Sequence, residues 1–128
     1  MNNVKLYDIK SLDEENGSLA FIETPFAVNR MFYVYGVRTG DIRGKHAHKS
    51  CKQLLVCIKG AVNVVCDDGQ ARTMYTLNSP LQGLYIPPLI WAEQYYHSPD
   101  SMLVALASHK YDESDYIRDY ELYRETVL

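Results

Sequence analysis

The chain has 128 residues, 23% of them charged and 47% from the set AVILMFWYC, which is enough for one hydrophobic core but not two, so residues 1–128 are expected to form a single domain. A net charge of −3 argues against general nucleic-acid binding, and no apolar run approaches the ~18 residues of a transmembrane helix. No long apolar stretch follows Met1-Asn2-Asn3-Val4-Lys5, so no secretory leader is expected. The three cysteines lack a CxxC spacing and read as free thiols of a cytoplasmic chain, with Cys57 and Cys66 in core positions.

In chain order the sequence reads as short strands separated by turn signals. Val4 to Ile9 and Ser18 to Glu23 flank the polar run Asp13-Glu14-Glu15-Asn16-Gly17, where Asn-Gly marks a tight turn. Arg30 to Val37 is rich in aromatic and β-branched residues and is closed by Thr39-Gly40-Asp41. Gln53 to Ile58 is an apolar run ended by Lys59-Gly60, and Asp67-Asp68-Gly69 joins Ala61–Cys66 to Gln70–Leu77 as a hairpin. Gly83–Ile86, Ile90–His97 and Met102–Ser108 follow, with Pro87-Pro88 and Ser98-Pro99-Asp100 as breakers. This spacing predicts an all-β sandwich or barrel. The period then changes. Asp112 is placed to cap a helix with Asp115 in its first turn, and Tyr116, Tyr120 and Tyr123 recur on one face as packing residues.

The chemistry centres on Arg43-Gly44-Lys45-His46-Ala47-His48, which holds two of the four histidines. On a strand, residues i and i+2 share a face roughly 7 Å apart, so both imidazoles enter one cavity. Such a pair serves either a metal site or acid–base chemistry on a small molecule. Arg43, Lys45, Lys49 and Lys52 surround it without an intervening acid. They read equally as gatekeeping charges on a solvated strand edge and as a positive field for a phosphate or diphosphate. If 43–48 were a regular strand, Arg43 would face away from the histidines, so Gly44 must mark a bulge for the arginine to join them. His97 and His109 read as surface residues and receive no role.

The spacing Gly40, five residues, His46-Ala47-His48, four residues, Gln53, six residues, Gly60 resembles the first motif of the cupin superfamily. That resemblance implies a jelly-roll barrel carrying a short C-terminal helix. In cupins this motif carries two histidines and a glutamate as metal ligands, and a later histidine completes the set. Here the glutamate position is Gln53, and the later stretch Pro87-Pro88-Leu89-Ile90-Trp91-Ala92-Glu93 has no histidine. Two neutral nitrogens and an amide oxygen make a weak site for zinc or iron, so no metal and no other cofactor is expected.

A closer resemblance, over nearly the whole chain, is to the nucleotide-sugar 3,4-ketoisomerases, cupin-like enzymes acting on a thymidine-diphosphate-linked 4-keto-6-deoxyglucose. It is carried by Asn16-Gly17-Ser18-Leu19, Arg30 to Tyr35, Arg43 to Lys49, Gln53 to Cys57, Asp67-Asp68-Gly69, Leu77-Asn78-Ser79-Pro80, Gly83-Leu84-Tyr85, Trp91 and Leu106 to Tyr120. The resemblance implies movement of the sugar carbonyl from C4 to C3 through an enediol or enediolate. His46 would be the carbon base and His48 its partner, although swapped roles fit the sequence equally. Arg43 supplies fixed charge near an oxyanion or the diphosphate, with Lys45 beside it. The resemblance places Tyr33 in the pocket, Tyr35 could follow it, Arg30 is a nucleotide or phosphate contact, Gln53 lines the site, and Trp91 or Tyr85 would face the thymine.

The resemblance also implies a homodimer, with exchanged N-terminal strands as one form, working in the cytoplasm on a nucleotide sugar without nucleic acid or membrane. Three rivals are a 3,5-epimerase of similar barrel, a cupin that only binds sugar and, third, a metal-dependent cupin in which Glu93 supplies a carboxylate. Gly17, following Asn16, leans toward a galacto-configured product.

Overall fold

The computed structural model describes residues 3–128; Met1 and Asn2, the start of the stretch read for a leader, lie outside the described residues. The expected all-β chain is present as twelve strands: β1 (Lys5–Asp8), β2 (Lys10–Glu14), β3 (Gly17–Phe21), β4 (Arg30–Val34), β5 (Ile42–His48), β6 (Gln53–Lys59), β7 (Val62–Asp67), β8 (Arg72–Leu77), β9 (Gln82–Ile86), β10 (Trp91–Tyr96), β11 (Met102–Ala107) and β12 (Tyr116–Ile117). A single-turn 3-10 helix, Glu113–Asp115, precedes β12, and α1 (Tyr120–Val127) ends the chain. No helix among the described residues is long and apolar enough to cross a membrane.

Two five-stranded sheets, ordered β1-β9-β6-β11-β4 and β12-β5-β10-β7-β8, pack face to face as a cupin-type jelly roll, every pairing antiparallel. Strand alternation explains the core. Leu55 and Cys57 of β6, Val62, Val64 and Cys66 of β7, Leu84 and Ile86 of β9, and Leu103 and Ala105 of β11 all point between the sheets. Cys57 and Cys66 do occupy the core, and burial pushes both thiols up, Cys66 to about 12, so neither is poised to react.

Two expectations change. Asp13–Gly17 is not all turn: Lys10–Glu14 pairs with Gly17–Phe21 as a hairpin whose ten strand residues are all exposed. The terminal helix also starts later. Asp112 caps only the 3-10 turn, accepting from the Ser114 amide, and Tyr116 then extends to pair with His48. Asp119 provides the true helix cap, its side chain accepting from the Leu122 amide. Tyr120 and Tyr123 pack from that helix as expected, whereas Tyr116 does not belong to it.

Candidate active site

Gly44 and Lys45 take φ of +84° and +57°, and the β5–β10 register slips here: Ala92 faces His46 while Glu93 faces Gly44. This is the bulge that the sequence required. A Cβ at position 44 would stand 2.9 Å from the Ala92 carbonyl oxygen, so only glycine fits. The extra residue, Lys45, restores alternation so that Arg43 and His46 line the same cavity. That cavity, about 190 Å³, is also lined by Phe32, Gln53, Gln94, Tyr116 and Arg118.

His46 reaches this cavity, and its Nδ1 donates to the Gly44 carbonyl at 3.1 Å. Burial, reinforced by repulsion from His48, lowers its pKa to about 4, so the ring is neutral near pH 7. A carbonyl accepts only, hence the lone pair lies on Nε2. His48 sits deeper, 6% exposed, with its ring edge-on to His46 at 5.1 Å. Its Nδ1 is 3.2 Å from Asp115 Oδ2, and its Nε2 is buried without a partner among the described residues. Burial lowers the His48 pKa too, opposed by the hydrogen bond and charge of Asp115.

The Tyr116 ring covers both imidazoles, with centroids 4.9 Å from His46 and 4.3 Å from His48. Its hydroxyl lies 3.4 Å from Arg30 Nη1, and the Arg118 guanidinium stands 4.3 Å from its ring centre. Arg118 is held by a two-point contact with Glu113, whose carboxyl it and Tyr111 pull down to about 2. Arg30 stacks over Phe32 and Tyr111, and its Nε is buried and unpartnered among the described residues.

The structure therefore gathers His46, His48, Arg43, Arg30 and Gln53. It does not gather the remaining candidates. Tyr33, on the outward phase of β4, and Tyr35, just beyond the end of that strand, are 57% and 65% exposed and stacked on each other, because Arg30, Phe32 and Val34 take the inward phase. Tyr35 and Lys45 border a separate open depression of about 510 Å³, which Arg43 also lines. Trp91 lies on the opposite face of β10 from Gln94, buried against Tyr120 and Tyr123, where its Nε1 donates to Glu93. Tyr85 packs on the outer face of the first sheet with Tyr7 and Phe26. His97 and His109 are exposed, as expected.

Asp115, Tyr116, Arg118 and Gln94 are the residues that sequence reasoning missed. Gln94 was findable, two places from Ala92 on the inward phase of β10. The 112–118 segment was not, because its acids and tyrosines also satisfy a helix pattern.

The donor set does not suit the metal that the cupin motif implies. Gln53 offers an amide where that motif has a carboxylate, and β10 brings Ala92 and Gln94 rather than an imidazole to the inner face. Ligating atoms of His48, Cys51 and Asp115 lie within 4.8 Å of one another, but the Asp115 oxygens already accept from His48 and from the Ser50 and Cys51 amides.

Known proteins resemble this chain over nearly its whole length. The family model described as FdtA: WxcM-like, C-terminal, matches residues 2–127. A TDP-4-oxo-6-deoxy-alpha-D-glucose-3,4-oxoisomerase of Aneurinibacillus thermoaerophilus is 39% identical over 127 residues, 96% of this chain and 91% of that one. The crystal structure of QdtA, a sugar 3,4-ketoisomerase from Thermoanaerobacterium thermosaccharolyticum in complex with TDP, superposes with TM-score 0.95 at 36% identity, covering 99% of this chain and 96% of that one. A histidine-to-asparagine mutant of that enzyme, in complex with TDP-4-keto-6-deoxyglucose, is similar at TM-score 0.95 and 35% identity, covering 99% and 95%.

Proposed function

The chain belongs to the FdtA, WxcM-like family, and from that premise we propose that it is a 3,4-ketoisomerase moving the carbonyl of TDP-4-keto-6-deoxyglucose from C4 to C3. The observation that carries the mechanism is a neutral imidazole at a cavity wall, its Nδ1 tied to a carbonyl and its Nε2 lone pair free. His46 Nε2 removes the C3 proton, acidified by the adjacent C4 ketone, and returns it to C4. His46 rather than His48 takes this role because it lines the larger cavity while His48 lies behind it. His48 relays the hydroxyl hydrogen from O3 to O4, so both hydrogens stay on the sugar. Arg43 offsets charge on the enediolate oxygen or on the diphosphate, which extends toward the depression bordered by Lys45 and Tyr35. Free thiols and a nucleotide-sugar substrate suit a cytoplasmic enzyme.

Incubation with TDP-4-keto-6-deoxyglucose in deuterated water, followed by proton NMR, tests this reading. A 3-keto product with label or transferred hydrogen at C4 is expected. Binding without any change in keto position would sink it.

We further propose a homodimer with exchanged N-terminal strands. The exposed β2–β3 hairpin carries Leu12, Leu19 and Phe21, and the outer face of the first sheet exposes Met31, Tyr33 and Ile58, with Tyr35 just past the end of β4. Tyr33 and Tyr35 then have a use in the assembly rather than the cavity. Sedimentation at micromolar concentration should give twice the chain mass, and a monomer would refute the proposal.

A further inference from the structure

Asp115 does more than end a 3-10 turn. Its Oδ1 accepts from the Ser50 amide at 2.9 Å, its Oδ2 accepts from the Cys51 amide at 3.1 Å, and its carbonyl accepts from the Lys49 amide at 2.8 Å. One residue thus fastens the 112–118 segment to the turn leaving β5. The same Oδ2 faces Nδ1 of His48 at 3.2 Å. An ionised carboxylate only accepts, so the imidazole must present a hydrogen to it.

We propose that Asp115 is a positioning residue for the isomerisation: it holds His48 as the Nδ1–H tautomer and leaves the buried, unpartnered Nε2 as the acceptor for the sugar hydroxyl hydrogen. This rests on the ketoisomerase reading given above. The reaction moves two hydrogens, one from C3 to C4 and one from O3 to O4. The second transfer needs a neutral group that first accepts and then donates at one atom. His48 meets that need only in this tautomer, because the other would offer Nε2–H and repel the hydroxyl hydrogen. His46 is set the same way by the Gly44 carbonyl, so both rings carry their hydrogen on Nδ1.

The groups facing His48 come from every neighbouring element: His46 from β5, Cys51 from the following turn, Arg30 from β4, Asp115 from the 3-10 turn, Tyr116 from β12, and Arg118 beyond it. Arg30 and Arg118 disfavour protonation and Asp115 favours it. Removing the carboxylate therefore lowers the pH at which His48 charges.

The test uses protein labelled with nitrogen-15 at histidine, because long-range proton–nitrogen spectra report tautomers without any activity measurement. In the wild type, His48 is expected as Nδ1–H. In Asp115→Asn an amide oxygen at the Oδ1 position keeps the Ser50 bond, whereas an amino group at the Oδ2 position loses the Cys51 bond, faces the ring and drives it to Nε2–H. We expect kcat to fall about 10- to 100-fold, as when other hydrogen-bond supports of a functional histidine are removed, with KM within twofold and the acid limb of the kcat profile displaced to lower pH. Asp115→Glu should recover part of the loss. An Nε2–H tautomer at His48 in the wild type overturns the proposal, as does an Asn variant with unchanged tautomer and pH profile. Should the Asn variant not fold, the wild-type spectrum and the Glu variant decide. A wild-type Nδ1–H spectrum from protein that fails to isomerise the ketosugar would instead refute the functional reading.

Discussion

The two faces of the β5–β10–β7 sheet carry buried polar clusters of opposite character. On the outer face, Asp67 accepts from Gly69, Arg72 and Tyr120, while Glu93 accepts from Trp91 and Tyr95 and pairs with Arg72. Tyr123 donates to the carbonyls of Asp67 and Leu89. Every carboxylate oxygen in that network has a donor, and its product is the docking of α1. On the inner face His48 is buried and His46 half-buried, and the half-buried Arg30 reaches them from the facing sheet, with His48 Nε2 and Arg30 Nε unpartnered among the described residues. Buried polar atoms without partners are rare and destabilising, so their concentration in one cavity marks the face where a ligand is to supply the missing bonds. One sheet thus separates a completed network that stabilises from an incomplete one kept for chemistry.

The largest expected effect comes from removing the base on the incomplete face. His46→Asn should lower kcat about 10³- to 10⁴-fold, equivalent to about 4–5 kcal/mol of barrier, while thermal stability holds or improves. Stability is expected to survive because a desolvated imidazole of low pKa leaves and a smaller amide replaces it. Steady-state kinetics beside a melting curve checks the pair. A variant with wild-type kcat would end the assignment of His46.

The completed face should respond in reverse. Asp67→Ala removes the acceptor for Gly69, Arg72 and Tyr120, and should destabilise the fold by about 3 kcal/mol. Turnover per folded molecule should change less than twofold, as read by denaturant unfolding and by kinetics well below the melting temperature. Loss of kcat at full stability would mean that the two faces are not separate.

This division also explains what could be read from the chain. The jelly roll was legible because alternation and turn residues are local: Asp67-Asp68-Gly69 gives its hairpin and Val62, Val64 and Cys66 give a buried face. The His46/His48 pair and the Gly44 bulge were legible for the same reason. The phase of β4 was not, since Arg30–Val34 alternates large residues on both sides, and inward aromatic Phe32 and outward aromatic Tyr33 look alike in sequence. Trp91 misled because an aromatic ring serves packing as well as stacking: Ala92 and Gln94, opposite the core residues Cys66 and Val64 of β7, take the inner face of β10, and Trp91 packs with Tyr120 and Tyr123. Asp115 and Tyr116 reach the histidines across more than sixty residues of chain, and Asp112-Glu113-Ser114-Asp115 is as good a helix start as a 3-10 turn.

The smallest effect is the most discriminating, because it separates the two faces by pH. His46 has a folded pKa of about 4 against an ordinary value of 6.5. Between those values the unfolded chain binds a proton that the folded chain refuses, so stability rises with pH across the window and is lost as pH falls through it. Each such imidazole contributes a slope of at most about 1.4 kcal/mol per pH unit, and the lowered His48 adds in the same direction. Carboxylates with depressed pKa, Glu113 among them at about 2, lose their contribution only below 4.5, which leaves pH 4.5–6.5 to the histidines. Denaturant unfolding across that interval should therefore show a slope that shrinks by up to one proton in His46→Asn and keeps its wild-type value in Asp67→Ala. An undiminished slope in the histidine variant would mean that the ring is not desolvated on folding, and with that the neutral base at the cavity wall would have no basis.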